Sequence, residues 1–127
     1  MFTQLLQYND IGLLLLRLVI ASIFLYHSLP KLKNAKEMAQ GIGFSTEFVT
    51  ALGLVEFLSS VGLILGVYTQ LWALLLSIVM IGALYMKIVR WNIPFSASNK
   101  TGLEFDLILL AANVVILFGG GGSIRIL

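Results

Sequence analysis

Four apolar runs, at about residues 10–29, 48–67, 70–90 and 102–118, make up most of this chain. At a rise of about 1.5 Å per residue, helices of these lengths reach across the hydrocarbon core of a bilayer or close to it. Asn9 or Asp10 is placed to cap the first helix, and Pro30 to end or kink it, because proline disfavours helical geometry in the residue before it and lacks an N–H. The next ten residues, KLKNAKEMAQ, put Leu32, Ala35, Met38 and Ala39 on one helical face and Lys33, Lys36, Glu37 and Gln40 on another, which predicts a short helix lying in the headgroup layer. Gly41 and Gly43 end it, and Ser45 caps the second span, with Glu47 in its first turn.

Only a few residues around Tyr68, Thr69 and Gln70 separate the second and third spans, which predicts an antiparallel hairpin. Gly53, Gly62 and Gly66, with Ser59 and Ser60, give the second span a surface on which another helix packs closely. Trp72, Tyr85 and Trp91 stand near the ends of the third span, where aromatic belts lie. After the turn-rich loop RWNIPFSASNKTG, Thr101 and Glu104 have the spacing of a capping box, and Gly119 to Gly122 terminate the fourth span. The expected fold is an all-α integral membrane four-helix bundle, a single domain over residues 1–127.

Composition agrees: 59% of the 127 residues are hydrophobic and 11% charged, and the mean hydropathy is +1.00. The net charge of +2 comes from residues beside the spans, a topological pattern and not a nucleic-acid face. Lys31, Lys33, Lys36, Lys87, Arg90 and Lys100 adjoin the loops after spans one and three, while Arg125 alone is on the other side. The positive-inside rule puts those two loops in the cytoplasm. The first span reads as retained and not cleaved, since residues 1–10 carry no Lys or Arg and no small-x-small site precedes Tyr26.

Several chemistries are excluded by residue type. Without cysteine the chain holds no disulfide, thiol relay or iron–sulfur cluster, and a single histidine, His27, rules out bis-histidine haem. No covalent or metal cofactor is expected. The glycine run at 119–122 lacks the Lys-Ser or Lys-Thr of a phosphate loop, and no nucleophile–base pair has hydrolase spacing.

What remains is a set of polar residues inside the spans. A cation near mid-membrane costs about 2.5–3.5 kcal/mol on insertion scales, so Arg17 requires a partner. Glu56 is the first choice, supplemented by Asn113 on the fourth helix. His27, Lys31, Lys87, Glu104 and Asp106 fall near the face of the two longer loops, with Glu56 about 10–12 Å in. Arg17, Phe24 and Lys31 recur at sevens on helix one, and Gly53, Glu56 and Ser60 share a face of helix two. Glu104 and Asp106 are two residues apart, so at most one points into the bundle, and Asp106 shares a stripe with Asn113. The candidate cluster is thus Arg17, His27, Lys31, Glu56, Glu104, Asp106 and Asn113.

Each has a plainer reading. Arg17 with Glu56 is equally a structural ion pair fixing helix register. His27 is explained by a hydrogen bond to a carbonyl or carboxylate, Glu104 by its capping box, and Lys87 and Arg90 by snorkelling toward the headgroups.

The segments LLLLRLVIASIFLYHSLPKL, GLVEFLSSVGLILGVYTQLWALLLSIVM and TGLEFDLILLAANVVILFGGGGSI, in this order, resemble the DoxX family of small bacterial four-helix membrane proteins. The resemblance is carried by Arg17, by Phe24, His27 and Lys31, by Gly53 and Glu56, by Gly62, Gly66 and Thr69, by Glu104 and by the glycine-rich end. Ser22 and Ser28 stand where the family often has Gly, and Gln70 where it often has a basic residue. The resemblance implies a place in the bacterial cytoplasmic membrane as a subunit or partner of quinone-linked oxidoreductases, thiosulfate-oxidising ones included, or of resistance to thiol or quinone stress.

Lacking cysteine and a second histidine, the chain points to a non-catalytic subunit more than to an autonomous enzyme. Its partners would be the bilayer and another protein or a second copy, with a quinone or other small polar head group in the pocket formed by Arg17, His27, Glu56 and Glu104. Alternatives are a small oligomeric transporter using Glu56 and His27 for protons, and an assembly partner without a ligand.

Overall fold

The structure is a computed structural model, and it describes residues 2–90 and 103–124. It is all-α. A 3₁₀ turn over Thr3–Tyr8 leads into α1 (Asn9–Lys33), followed by α2 (Ala35–Ile42), α3 (Thr46–Leu65), α4 (Thr69–Tyr85) and α5 (Leu103–Gly119). Met86–Arg90 continues α4 as a π-helical turn. The stretches Thr3–Lys33, Thr46–Leu65 and Thr69–Val89 are long and apolar enough to cross a membrane, and α5, with 17 residues, is about 25 Å long.

Packing is inverted relative to a water-soluble protein. Leu15, Val19, Leu54, Leu58, Ile78, Ile81, Ile108 and Val115 are exposed, whereas Arg17, Glu56, Asp106 and Asn113 are buried. Exposed aliphatic chains match a lipid solvent, and polar groups turn inward because lipid gives them no partners. The apolar core between them runs through Ile20, Ala21, Phe24, Leu63, Leu76, Met80, Leu109 and Ile116.

The helices associate as two pairs. α1 packs most extensively on α3 and α4 on α5; the α3–α4 contact joins the pairs, and α1 meets α5 over a smaller area. Between α3 and α4 the chain reverses within Gly66–Tyr68, with Gly66 in the left-handed region at φ +79 and Tyr68 at φ +53, the short hairpin that the spacing of the spans predicts.

Two expected helix boundaries differ. α1 does not stop at Leu29 but runs through Pro30 to Lys33, and the Asn34 N–H donates to the Pro30 carbonyl at 2.7 Å. Proline so near a C-terminus forfeits a single helical bond, to Tyr26, and packing of this last turn on α3 holds the helix together. At the other end neither Asn9 nor Asp10 caps α1, because the 3₁₀ turn feeds straight into it; Asp10 instead accepts from Ser123 Oγ at 2.5 Å.

The amphipathic reading of α2 corresponds to what is seen: Leu32, Ala35, Met38 and Ala39 are covered and Lys33, Lys36, Glu37 and Gln40 exposed. Ser45 caps α3 by accepting from the Phe48 N–H at 3.2 Å. The expected capping box includes Thr101, and the aromatic belt Trp91; both lie outside the described residues.

Candidate functional site

Register decides which polar groups meet. At Gly53 a Cβ would come within 2.9 Å of Lys31 Cβ and 3.1 Å of Leu32, so the missing side chain lets the last turn of α1 rest directly on α3. Glu56 lies one helical turn further along α3, inward of Lys31. Lys31 Nζ donates to both oxygens of Glu56 at 2.9 Å. The carboxylate is nearly covered, its side chain 3% exposed against 20% for Lys31.

This register overturns the expected pairing of Arg17 with Glu56. Arg17 stands fourteen residues before Lys31 on α1, about 21 Å along the axis, and Glu56 lies only about 4.5 Å in from the Gly53 contact. That leaves roughly 16 Å between the two levels, beyond the side chain's reach.

Arg17 turns to main-chain carbonyls. Its Nε donates to Leu63 O at 2.9 Å, and its Nη1 to Gly121 O at 2.7 Å and Ile124 O at 2.6 Å. The Leu63 carbonyl is available because the Gly66 and Val67 N–H groups both fold back onto Gly62 O. A guanidinium here also faces the negative end of the α3 dipole. Nor does Asn113 supplement it: its Nδ2 donates to Leu109 O in its own helix at 2.9 Å.

The described part of the segment after α5 packs against this end of the bundle, beside a cleft lined by Asp10, Tyr68, Thr69 and Gly119 to Ser123. At Gly121 a Cβ would meet the Thr69 side chain at 2.6 Å, so glycine is what lets the segment approach close enough for Arg17 to reach its carbonyls. Gln70 Nε2 adds a bond to Leu117 O at 2.8 Å.

The opposite end, among the described residues, borders a cavity. This cavity of about 650 Å³ lies between the two helix pairs, its wall formed by Phe24, Phe44, Phe48, Leu52, Met80, Phe105 and other apolar side chains, with His27, Lys31, Glu56, Lys87 and Asp106. Lys87 Nζ lies 2.7 Å from Asp106 Oδ2, with side chains 12% and 5% exposed. Each helix pair thus contributes one Lys–carboxylate pair, α1–α3 through Lys31 and Glu56, and α4–α5 through Lys87 and Asp106.

His27 sits between them. Its ring contacts are with Tyr26 and, across the gap to α5, with Phe105, both at 5.6 Å between centroids. Among the described residues, these ring contacts stand where a hydrogen bond was expected for it. The charges of Lys31, Lys87 and Asp106 all reach its ring.

The expected pocket therefore changes membership. Arg17 belongs to the other end of the bundle, and Glu104 is exposed while Asp106 is buried, so of the two acids it is Asp106 that points inward. Lys87, read from the sequence as a snorkelling cation, lines the cavity and pairs with Asp106. The signal for it was present: a buried Asp106 needs a cation at its own level, and the turn count puts Lys87 there. The π-helical turn that holds Lys87 was not legible, and such turns recur at functional sites. Among the described residues no group of three or more His, Cys, Asp or Glu is arranged to hold a metal ion.

The DoxX family model matches residues 12–88, the stretch that supplies Arg17, His27, Lys31, Glu56 and Lys87. The chain belongs to the DoxX family. This DoxX protein is also 27% identical over 114 residues to CatD of Bacillus subtilis (strain 168), provisionally named an oxidoreductase, across 87% of this chain and 81% of CatD. No solved structure matches the chain.

Proposed function

We propose that this chain is a membrane-embedded subunit or partner of an oxidoreductase system, in the bacterial cytoplasmic membrane, whose part is to hold a quinone-like molecule or another small ligand with a polar head. The observation that carries the reading is the cavity: an apolar space of about 650 Å³ bordered by two Lys–carboxylate pairs whose carboxylates are buried. That volume falls within the range of small-molecule sites, and a few polar groups in an apolar wall are how such sites orient a ligand. Burying ions in a membrane bundle is costly where aliphatic packing would serve, which favours a functional reason for them.

The name of CatD supports the redox setting. Without cysteine, electron transfer would fall to the bound organic molecule or to a partner protein. The excess of Lys near the loops after α1 and α4 supports a cytoplasmic position for the cavity end. At the opposite end Arg17 ties α1 to the carbonyls of Gly121 and Ile124, which favours a holding site over a transport route through one chain.

The test is to purify the protein from its own membrane in mild detergent and extract its lipids for mass spectrometry. A quinone or similar molecule should co-purify with the protein and be lost from a Lys31→Met/Glu56→Leu variant. If no quinone co-purifies or binds, and the variant retains the same extract as the parent, the redox reading fails. Native mass spectrometry of the same preparation identifies any partner chain.

A further inference from the structure

Charge and hydrogen-bonding capacity differ at the cavity wall. Lys31 is balanced by Glu56 and Lys87 by Asp106, so the described ion pairs bring no net charge to the space between the helix pairs. An anionic head entering it would give up hydration and find each ammonium already engaged by a carboxylate.

Donors are another matter. An ammonium carries three N–H groups, and Lys31 commits two of them to Glu56. Lys31 is also the more exposed member of its pair, at 20% against 3%. The wall therefore offers a donor, with the balancing carboxylate covered behind it. His27 adds a ring whose described partners are aromatic.

We infer that the cavity takes a neutral, membrane-dissolved molecule whose head turns a carbonyl oxygen to Lys31, in preference to an anionic amphiphile with the same apolar body. This rests on the reading of the cavity as a ligand site. Two sources carry such an oxygen, a ring ketone dissolved in the bilayer and the ester carbonyl of a lipid chain.

Three probes with one ring system separate the terms: 2-acetylnaphthalene (neutral carbonyl), 2-naphthoate (anion) and 2-methylnaphthalene (apolar body alone). Binding is measured at neutral pH to the full chain in phosphatidylcholine nanodiscs, with empty nanodiscs subtracted. The ketone should bind at least about tenfold more tightly than the naphthoate and more tightly than the hydrocarbon.

Glu56→Gln leaves the Lys31 charge unbalanced and should raise naphthoate affinity by about tenfold or more. Lys31→Met/Glu56→Leu removes the donor without stranding a buried charge and should bring the ketone down to the level of the hydrocarbon. Naphthoate binding the parent as tightly as the ketone, or a ketone indifferent to the double substitution, would overturn the inference and leave the ligand site standing. If none of the three probes binds, both fall. Repeating the ketone measurement in ether-linked lipid identifies the source: tighter binding there assigns the resident oxygen to a lipid ester, equal binding to a dissolved ring, and either result upholds a neutral head.

Discussion

Arg17 and Lys31 share one stripe of α1, and the bundle satisfies them in opposite ways. Arg17 is wholly buried and commits its Nε and Nη1 to three main-chain carbonyls, with the chain folded over it. Lys31 is partly exposed and binds a side-chain carboxylate at the edge of a cavity. Carbonyl dipoles at helix ends neutralise a cation without introducing a second ion that must itself be buried, and they are held by the backbone. An ion pair beside open space retains a donor that a third molecule can use. One end of this bundle is built as a fastening, and the other borders the cavity proposed above as a ligand site.

The contrast is sharpest if Arg17 is removed. Arg17→Leu strands three carbonyls that had charged donors and should lower stability in detergent by roughly 3–5 kcal/mol, read from a denaturation midpoint. Arg17→Lys should recover less than half of the loss, because an ammonium lacks the fork that spans Leu63 and Gly121. A midpoint unchanged in Arg17→Leu would mean that the carbonyls find other partners and that the fastening is not one.

At the cavity end the single and double substitutions should part company. Lys31→Met alone leaves Glu56 as an uncompensated buried carboxylate and should cost about 3 kcal/mol, whereas Lys31→Met/Glu56→Leu should lie within about 1 kcal/mol of the parent. The same denaturation assay decides it. If the double variant is as unstable as the single, the pair is a structural element like Arg17 and the comparison collapses.

A smaller effect, about 1–3 kcal/mol, is expected from Gly121→Ala, whose methyl group would press on Thr69. Thr69→Ala in the same chain should restore part of it, and a double-mutant cycle measures how much. The smallest change is Asp10→Ala, which loses one hydrogen bond to Ser123 and should cost about 0.5–1.5 kcal/mol. Neither of these two should alter probe binding at the far end.

Much of the architecture was legible from residue pattern. Long apolar runs allow little besides membrane helices, the amphipathic spacing of residues 32–40 determines which side of α2 is covered, and a three-residue gap determines the hairpin between α3 and α4. The interior position of Arg17, Glu56 and Asn113 also follows from the sequence, since lipid offers such groups no partners. Absence of cysteine and the lone histidine settle which redox centres this chain itself cannot build.

Partnership was not legible, because it depends on axial register and on which backbone groups are left over. Counting residues along separate helices put Arg17 and Glu56 within plausible reach; the contact of Gly53 with Lys31 sets them about 16 Å apart. Nothing in the residue types marks the Leu63 carbonyl as an acceptor, since it is freed only by how α3 ends at Gly66 and Val67. The choice of Asp106 over Glu104, and the promotion of Lys87 from a headgroup cation to a wall of the cavity, were likewise decided by how α4 and α5 pack. Sequence determined that charges would be buried in this membrane protein; only the tertiary structure decided that one cation would lock the bundle and two would border a space within it.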